Sequence, residues 1–164
     1  MQQKIIPFFW FDNQAEEAAN YYVALFPDSK INKIVRYPKA ADHVSPQGAG
    51  AVMTVDLELS GMKFTFLNGG KNDAFLSQPG PVSFVVSCDT QEEIDKYWAA
   101  LTEGGKPNQC GWTQDKFGIT WQIVPTILPK LLSDPDPAVV NRVTACFMQM
   151  TKFDIAELEK AVKS

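Results

Sequence analysis

The sequence predicts an α+β protein made of two similar β-α-β-β-β modules and a set of C-terminal helices. Three observations predict this class: a helical pattern that occurs twice, strand-like apolar runs on both sides of each copy, and a change of pattern after Pro125. At 164 residues the chain has the usual size of one domain. We predict a single domain over 1–164, with modules at about 3–70 and 80–126 and a helical extension at about 127–164.

The two predicted helices are the clearest copies of each other. Residues 13–25 and 89–101 align without a gap and share a pair of glutamates near the start and a Tyr and a Leu further on. Each copy opens on a capping side chain, Asn13 or Asp89, with a glutamate three residues later. That arrangement satisfies free amides at a helix start and places negative charge there. Both segments therefore predict helices.

Strand-like runs lie on both sides of these helices. The runs that precede them, 5–11 and 82–88, are rich in the aromatic and β-branched residues that favour buried strands. Within 51–59, apolar residues alternate with the polar residues Thr54, Asp56 and Glu58, as expected of a strand. After the two helices we predict strands at 31–37, 51–59, 62–68, 106–109, 110–114 and 119–124.

The chain after Pro125 predicts helices outside the two modules. Asp136 is placed to cap a helix whose first position is Pro137, and valines then recur at helical spacing. Asp154 begins a second capping pattern, for a helix that ends near Lys163.

Composition and charge disfavour several classes of partner. The 15 Lys/Arg and 19 Asp/Glu give a net charge of −4 with no basic stripe, which disfavours nucleic-acid binding. No apolar stretch is long enough to span a bilayer, and the N-terminus lacks the pattern of a signal peptide. Three widely spaced cysteines are more typical of reduced thiols than of a disulfide framework. We predict a cytoplasmic protein with no membrane or nucleic-acid partner.

Several motifs occur in a recognisable order along the chain. They are Trp10-Phe-Asp-Asn-Gln-Ala-Glu-Glu-Ala-Ala, Leu67-Asn-Gly-Gly70, Gln91-Glu-Glu-Ile-Asp-Lys-Tyr-Trp98, Cys110-Gly-Trp112, Asp115-Lys-Phe-Gly-Ile-Thr-Trp-Gln-Ile-Val-Pro125 and Asp134-Pro-Asp-Pro137. Together they resemble the PhnB-like family, which carries the label demethylubiquinone methyltransferase-like. That family belongs to the glyoxalase, bleomycin-resistance and dioxygenase superfamily, also called vicinal oxygen chelate. The resemblance spans nearly the whole chain and implies that the modules form a cupped mixed sheet.

The resemblance also implies where metal-dependent relatives hold their ion, with four side chains that face into the cup. In this sequence the corresponding positions are Pro7, Thr65, Ser83 and Gln122. Proline has no side-chain donor, and neutral hydroxyls and amides are poor ligands beside His and carboxylates. The one histidine, His43, lies in a polar loop. We expect no metal site and no metal-dependent chemistry.

A methyl-donor site is not predicted either. The usual cofactor-binding methyltransferase carries a glycine-rich turn between a strand and a helix. Here Gly69-Gly70 and Gly104-Gly105 follow other elements, and Lys71 lacks the spacer and the following Ser or Thr of a P-loop. We expect no cofactor.

Strand alternation predicts which residues line the cup. If the four positions above face inward, a period of two places Phe9, Phe11, Leu67 and Val85 on the same side. Such a cup is apolar with a few polar groups, which is typical of a small-molecule site. The face under the helices is predicted to carry Phe8, Trp10, Phe64, Phe66, Phe84 and Trp121. The predicted ligand-binding residues are Phe9, Phe11, Thr65, Leu67, Ser83, Val85, Trp112 and Gln122.

Structural interpretations compete with these assignments. Gln122 is equally consistent with ligand binding and with satisfying a backbone group, whereas Thr65 and Ser83 favour a structural role. Cys110 is the one thiol beside a glycine, but the sequence shows no base or positive field next to it. Inert packing is favoured for Cys110, so the catalytic residues stay unassigned with Cys110 as the candidate.

Three functions from different classes follow. The first is a metal-independent protein that binds a small hydrophobic or aromatic molecule in the cup. The second is an enzyme that acts on a quinone-type substrate, as the family label implies. The third is a structural or regulatory homodimer without a ligand. We rank the binding protein first and expect a homodimer, since modules of this superfamily commonly complete their sheets by pairing.

Overall fold

The computed structural model describes residues 3–41, 47–71 and 82–163. The chain divides into two compact units, residues 1–78 and 79–164, and each contains one four-stranded mixed sheet. His43 lies outside the described residues, so its predicted loop position is not described.

Among its described residues, the first unit contains one α-helix and four strands. Their bounds are β1 (Phe8–Phe11), α1 (Ala15–Leu25), β2 (Lys30–Arg36), β3 (Val52–Leu59) and β4 (Met62–Asn68), with a short 3-10 helix at Lys39–Ala41. The strand order is β1-β4-β3-β2, with β1 parallel to β4 and the other pairs antiparallel.

The second unit has the same sheet order and, over residues 82–163, three helices in addition to its module helix. Its bounds are β5 (Phe84–Cys88), α2 (Gln91–Thr102), β6 (Lys106–Pro107), β7 (Trp112–Gln114), β8 (Thr120–Pro125), α3 (Ile127–Leu131), α4 (Pro137–Phe147) and α5 (Ile155–Lys163). The order is β5-β8-β7-β6, and β5 again runs parallel to β8. The predicted class, α+β with two β-α-β-β-β modules and C-terminal helices, is confirmed.

Each module buries the inner side of its helix against one face of its sheet. In the first unit, Ala18 and Tyr22 of α1 are fully buried, and the Tyr22 ring lies 5.9 Å from the Phe66 ring of β4. In the second unit, Ile94 of α2 and Ile123 of β8 are fully buried. Each large apolar side chain removed from water in this way contributes about 1.5–3 kcal/mol.

The two module helices begin in different ways. Thr90, not the predicted Asp89, caps α2: its hydroxyl accepts the Glu93 amide at 3.3 Å. At α1 the predicted cap Asn13 is replaced by a residue from the sheet, because the side-chain oxygen Oδ1 of Asn68, in β4, accepts the Ala15 amide at 2.8 Å. The start of α1 therefore depends on a strand that lies far along the chain.

The C-terminal helices pack within the second unit. Asp136 caps α4 as predicted, and Asp154 accepts the Glu157 amide at the start of α5. Arg142 of α4 donates to the carbonyls of Ala161 and Val162 at 3.0 and 2.9 Å, which ties the end of α5 to α4. Within the described ranges, no helix is both long enough and apolar enough to cross a membrane.

Candidate functional site

Each sheet carries its module helix on one face, and we call the opposite face helix-distal. Residues paired in neighbouring strands share a face. In the first unit this register places Phe8, Thr65 and Asp56 side by side on the helix-distal face. It also places Trp10 beside Leu67.

The face predicted for β1 is wrong. The Phe9 ring stacks on Phe66 with centroids 5.1 Å apart, and Phe11 lies 5.1 Å from the same ring. Because Phe66 is fully buried beneath Tyr22 of α1, Phe9 and Phe11 lie on the helix-covered face. The strand reads Phe-Phe-Trp-Phe, so it has no polar and apolar alternation from which its orientation can be inferred.

The same shift applies to the other β1 positions. Phe8 and Trp10, predicted under the helix, lie on the helix-distal face, where Phe8 is 58 % exposed. Pro7 precedes Phe8 and contributes a backbone carbonyl, which accepts the Thr65 amide at 3.1 Å. In the other strands the predicted helix-side residues Phe64, Phe66 and Trp121 are buried.

The helix-distal face of the first sheet is more polar than the sequence predicts. Strand pairing gives two charged rows across β2, β3 and β4, namely Lys30, Glu58, Lys63 and Lys33, Asp56, Thr65. A cleft of about 470 Å³ opens beside these rows. It is lined by Ile6, Asn32, Asp56, Leu57, Glu58, Lys63, Phe64 and Thr65.

Thr65 of the predicted site is engaged within its own sheet. Its hydroxyl donates to Asp56 Oδ1 at 2.8 Å, and Glu58 Oε2 lies 4.0 Å from Lys30 Nζ. Neither Asp56 nor Glu58 is among the ligand-binding residues predicted from the sequence. The alternation of polar and apolar residues in β3 indicates their position, since it places Asp56 and Glu58 on the face opposite the buried residues of that strand.

The motif Leu67-Asn-Gly-Gly70 makes room for the side chain of Trp10. The indole nitrogen of Trp10 donates to the Gly70 carbonyl at 2.8 Å, and a Cβ at Gly69 would lie only 2.2 Å from the Trp10 ring. Glycine is therefore required at position 69 for the ring to lie there. The motif packs an aromatic residue and, through Asn68, caps a helix.

Four of the predicted ligand-binding residues come together on the helix-distal face of the second sheet. Gln122 of β8 pairs with Val85 of β5 on one side and with Trp112 of β7 on the other. Its Nε2 donates to Ser83 Oγ at 2.9 Å. Val85 is 56 % exposed and Trp112 is 39 % exposed. We call these four residues the Gln122 cluster.

The Gln122 cluster combines the groups that recognise a flat, weakly polar molecule. The Trp112 indole offers a broad apolar surface with a ring N–H, and Val85 adds aliphatic surface. The bond between Gln122 and Ser83 uses one N–H of the Gln122 amide, which leaves its second N–H, its carbonyl oxygen and the Ser83 hydroxyl proton for further hydrogen bonds. The sequence left the orientation of Trp112 open, and the strand register places it beside Gln122.

The four positions at which relatives hold a metal do not fit one here. Pro7 contributes a carbonyl to a strand pair, and the Thr65 hydroxyl is bonded to Asp56. Ser83 and Gln122 are bonded to each other. These neutral donors are not the His and carboxylate set that a divalent ion prefers. In the part of the chain that the structure describes, no three His, Cys, Asp or Glu side chains are grouped to hold a metal ion.

Cys110, the candidate nucleophile, lies in a tight turn that packs against the chain's own C-terminal region. Its sulfur lies 3.8 Å from the Phe147 carbonyl oxygen, and its backbone has a positive φ of 56°. A Cβ at the next residue, Gly111, would lie 2.5 Å from the Phe153 ring. The glycine therefore admits a side chain of the protein itself, which agrees with a packing role for this segment.

Comparison with known proteins adds a family and a set of related folds. A family model described as 3-demethylubiquinone-9 3-methyltransferase matches residues 3–124. The PhnB protein of Bacillus cereus, described as a candidate 3-demethylubiquinone-9 3-methyltransferase, has 34 % identity and a TM-score of 0.63. Its alignment covers 76 % of this chain and 100 % of that chain.

Two further solved structures share the fold at lower identity. A protein from Pseudomonas aeruginosa has 18 % identity and a TM-score of 0.58, covering 76 % of this chain and 98 % of its own. The fosfomycin resistance protein FosX from Mesorhizobium loti has 11 % identity and a TM-score of 0.53, covering 82 % and 99 %. At these identities the likeness concerns the fold alone. No curated protein matches the chain significantly.

Proposed function

The chain belongs to the PhnB-like 3-demethylubiquinone-9 3-methyltransferase family, and from this premise we propose that it binds a small hydrophobic or aromatic molecule without a metal ion. The observation that carries the proposal is the Gln122 cluster. Its partly exposed indole and valine lie beside an amide and a hydroxyl on one sheet face. A mostly apolar surface with a few placed polar groups is the usual chemistry of a small-molecule site.

A quinone is the ligand class that suits these groups best. A quinone ring is flat, so it can stack on the Trp112 indole, and its carbonyl oxygens accept hydrogen bonds from an amide or a hydroxyl. The description of the family names a quinone-modifying activity, which supports the same class.

Duroquinone is the probe for the first test, because its fully methylated ring does not add to thiols. We expect calorimetric titration to show binding. The substitution Trp112→Ala should raise the Kd about tenfold or more, because it removes an aromatic side chain that anchors the ligand. Gln122→Ala should raise it about fivefold, as expected for the loss of one hydrogen bond.

The matched control is Gln149→Ala, which removes an exposed glutamine from the same unit. This variant should keep the Kd of the unmodified protein. Equal weakening in the Gln122 and Gln149 variants would contradict the assignment of the site. Well-folded protein that binds neither duroquinone nor any other compound of an aromatic library would overturn the proposal.

Methyl transfer is the second candidate, because the family description names it. The connections from β1 to α1 and from β5 to α2 are Asp12-Asn13-Gln14 and Asp89-Thr90, and neither is glycine-rich. These residues do not fit a nucleoside-type methyl donor, which usually binds at a glycine-rich turn. The test is incubation with S-adenosylmethionine and a demethylated quinone. A methylated product detected by mass spectrometry would establish this function in place of simple binding.

A further inference from the structure

The residue before Trp112 lies in an unusual backbone turn. Cys110 and Gly111 both have positive φ, 56° and 75°, and the Trp112 amide donates back to the Gln109 carbonyl at 3.2 Å. A left-handed backbone is unfavourable for any residue with a side chain, so it persists where neighbouring contacts fix it. Trp112 follows this turn directly, and its direction is therefore set by the turn.

The contacts that fix the turn come from the C-terminal region. The Cys110 amide donates to the Met150 carbonyl at 2.7 Å, and the Gly111 amide donates to the Thr151 carbonyl at 2.8 Å. Both central amides of the turn are thus bonded to two consecutive carbonyls of one segment. We call residues 150–153 the C-terminal segment.

The C-terminal segment is itself anchored to α2. Gln91, the first residue of α2, donates to the Phe153 carbonyl at 3.1 Å and accepts the Ile155 amide at 2.9 Å. Phe153 is 2 % exposed, and its ring occupies the space above Gly111 that a Cβ would need. One glutamine side chain therefore holds both ends of the connection between the segment and α5.

We propose that the C-terminal segment, held by Gln91, positions Trp112 for ligand binding. The expected effect on ligand affinity rests on the proposed function. The expected effect on the orientation of Trp112 does not, because it depends only on the contacts of the turn. The family model matches residues 3–124, so the C-terminal segment lies outside the matched residues. Gln91 is accordingly a positioning residue, since it acts on Trp112 through Phe153 and the turn.

The test compares Gln91→Ala with Arg142→Ala. Each variant removes two contacts to the backbone of the C-terminal region, but the Arg142 contacts lie at the far end of α5, away from the turn. The readouts are fluorine NMR of fluorotryptophan-labelled protein and calorimetric titration with duroquinone. The Trp112 resonance is assigned by its loss in Trp112→Phe, and circular dichroism checks that each variant is folded.

We expect Gln91→Ala to move the Trp112 resonance and to raise the Kd for duroquinone about threefold or more, within the range of indirect effects on a site. Arg142→Ala should leave both unchanged. An unmoved Trp112 resonance in folded Gln91→Ala would overturn the inference, whether or not duroquinone binds. A moved resonance in a protein that never binds duroquinone would support the positioning role while counting against the proposed function.

If Gln91→Ala does not fold, Phe153→Leu gives the same comparison, because it keeps an apolar side chain but removes the ring above Gly111.

Discussion

At the scale of single residues, the fold suppresses the chemistry of the Cys88 thiol. Burial, and then the nearby charges of Glu93 and Asp89, raise its pKa from 9.0 to about 11. A thiol is nucleophilic only as the thiolate, so Cys88 is inert near neutral pH. Tyr97 follows the same pattern, since burial and then the Cys88 charge raise its pKa.

The raised pKa of Cys88 predicts a loss of stability in alkali. The unfolded chain releases the thiol proton near pH 9, whereas the folded chain holds it until about pH 11. The free energy of unfolding should therefore decrease as the pH rises from 9 towards 11. Urea titrations across this range should show a shallower decrease in Cys88→Ala.

The control for this comparison is Ser87→Ala, which changes the neighbouring residue on the opposite face of β5. Part of the decrease should remain in Cys88→Ala, because Tyr97 contributes in the same direction. Identical pH slopes in Cys88→Ala and Ser87→Ala would contradict the prediction.

The sequence predicts the side-chain environment well only where polar and apolar residues alternate. In β8 the alternation places Trp121 inside and Gln122 on the opposite face, as the structure has them. In β1, four consecutive aromatic residues carry no such signal, and the faces of Phe9 and Phe11 are predicted wrongly. The ligand-binding role of the remaining residues stays a prediction.

At the scale of elements, Asn68 joins three parts of the first unit. Its side chain accepts the Ala15 amide of α1 and donates to the Val52 carbonyl at 3.1 Å, and its own carbonyl accepts the Tyr37 hydroxyl at 2.7 Å. Asn68 is 2 % exposed, so each lost bond leaves a buried polar group without its partner.

Two substitutions of Asn68 should therefore differ. Asn68→Ala removes both side-chain bonds and should lower the free energy of unfolding by about 2–6 kcal/mol, at about 1–3 kcal/mol for each of the two unpaired buried groups. Asn68→Asp keeps the oxygen that accepts the Ala15 amide, but its carboxylate turns a second acceptor towards the Val52 carbonyl and buries a negative charge. Chemical denaturation should show that the loss for Asn68→Asp becomes smaller as the pH falls, because the protonated carboxyl can accept from Ala15 and donate to Val52. The same pH dependence in Asn68→Ala and Asn68→Asp would argue against these two bonds.

The elements themselves are more predictable than the contacts that complete them. The strands and helices lie close to their predicted positions, because capping residues, glycine turns and hydrophobic patterns are local signals. The cap of α1 is different, because Asn68 lies 53 residues beyond Ala15. A local sequence pattern cannot predict a contact between residues so far apart. The same holds for the bonds between the Cys110 turn and the C-terminal segment.

At the scale of the whole molecule, we propose that the protein is a homodimer. In the portion of the chain that the structure describes, four strands pair on one side only: β1 and β2 in the first sheet, and β5 and β6 in the second. Such edges favour pairing with another chain. Light scattering should give a mass of about twice the 18.2 kDa of one chain. A measured mass equal to that of one chain at micromolar concentration would contradict this proposal.

The two module helices begin in different ways, and this difference bears on the order in which the protein folds. Thr90 and Glu93 complete the start of α2 from within the helix, so α2 needs no other element to begin. The start of α1 stays incomplete until β4 brings Asn68 to Ala15. Contacts between residues far apart in the chain form late, because a long loop must close first. Two similar sequence segments are thus expected to become helical at different times. We expect α2 to form before the second sheet, and α1 to form at the same time as the first sheet.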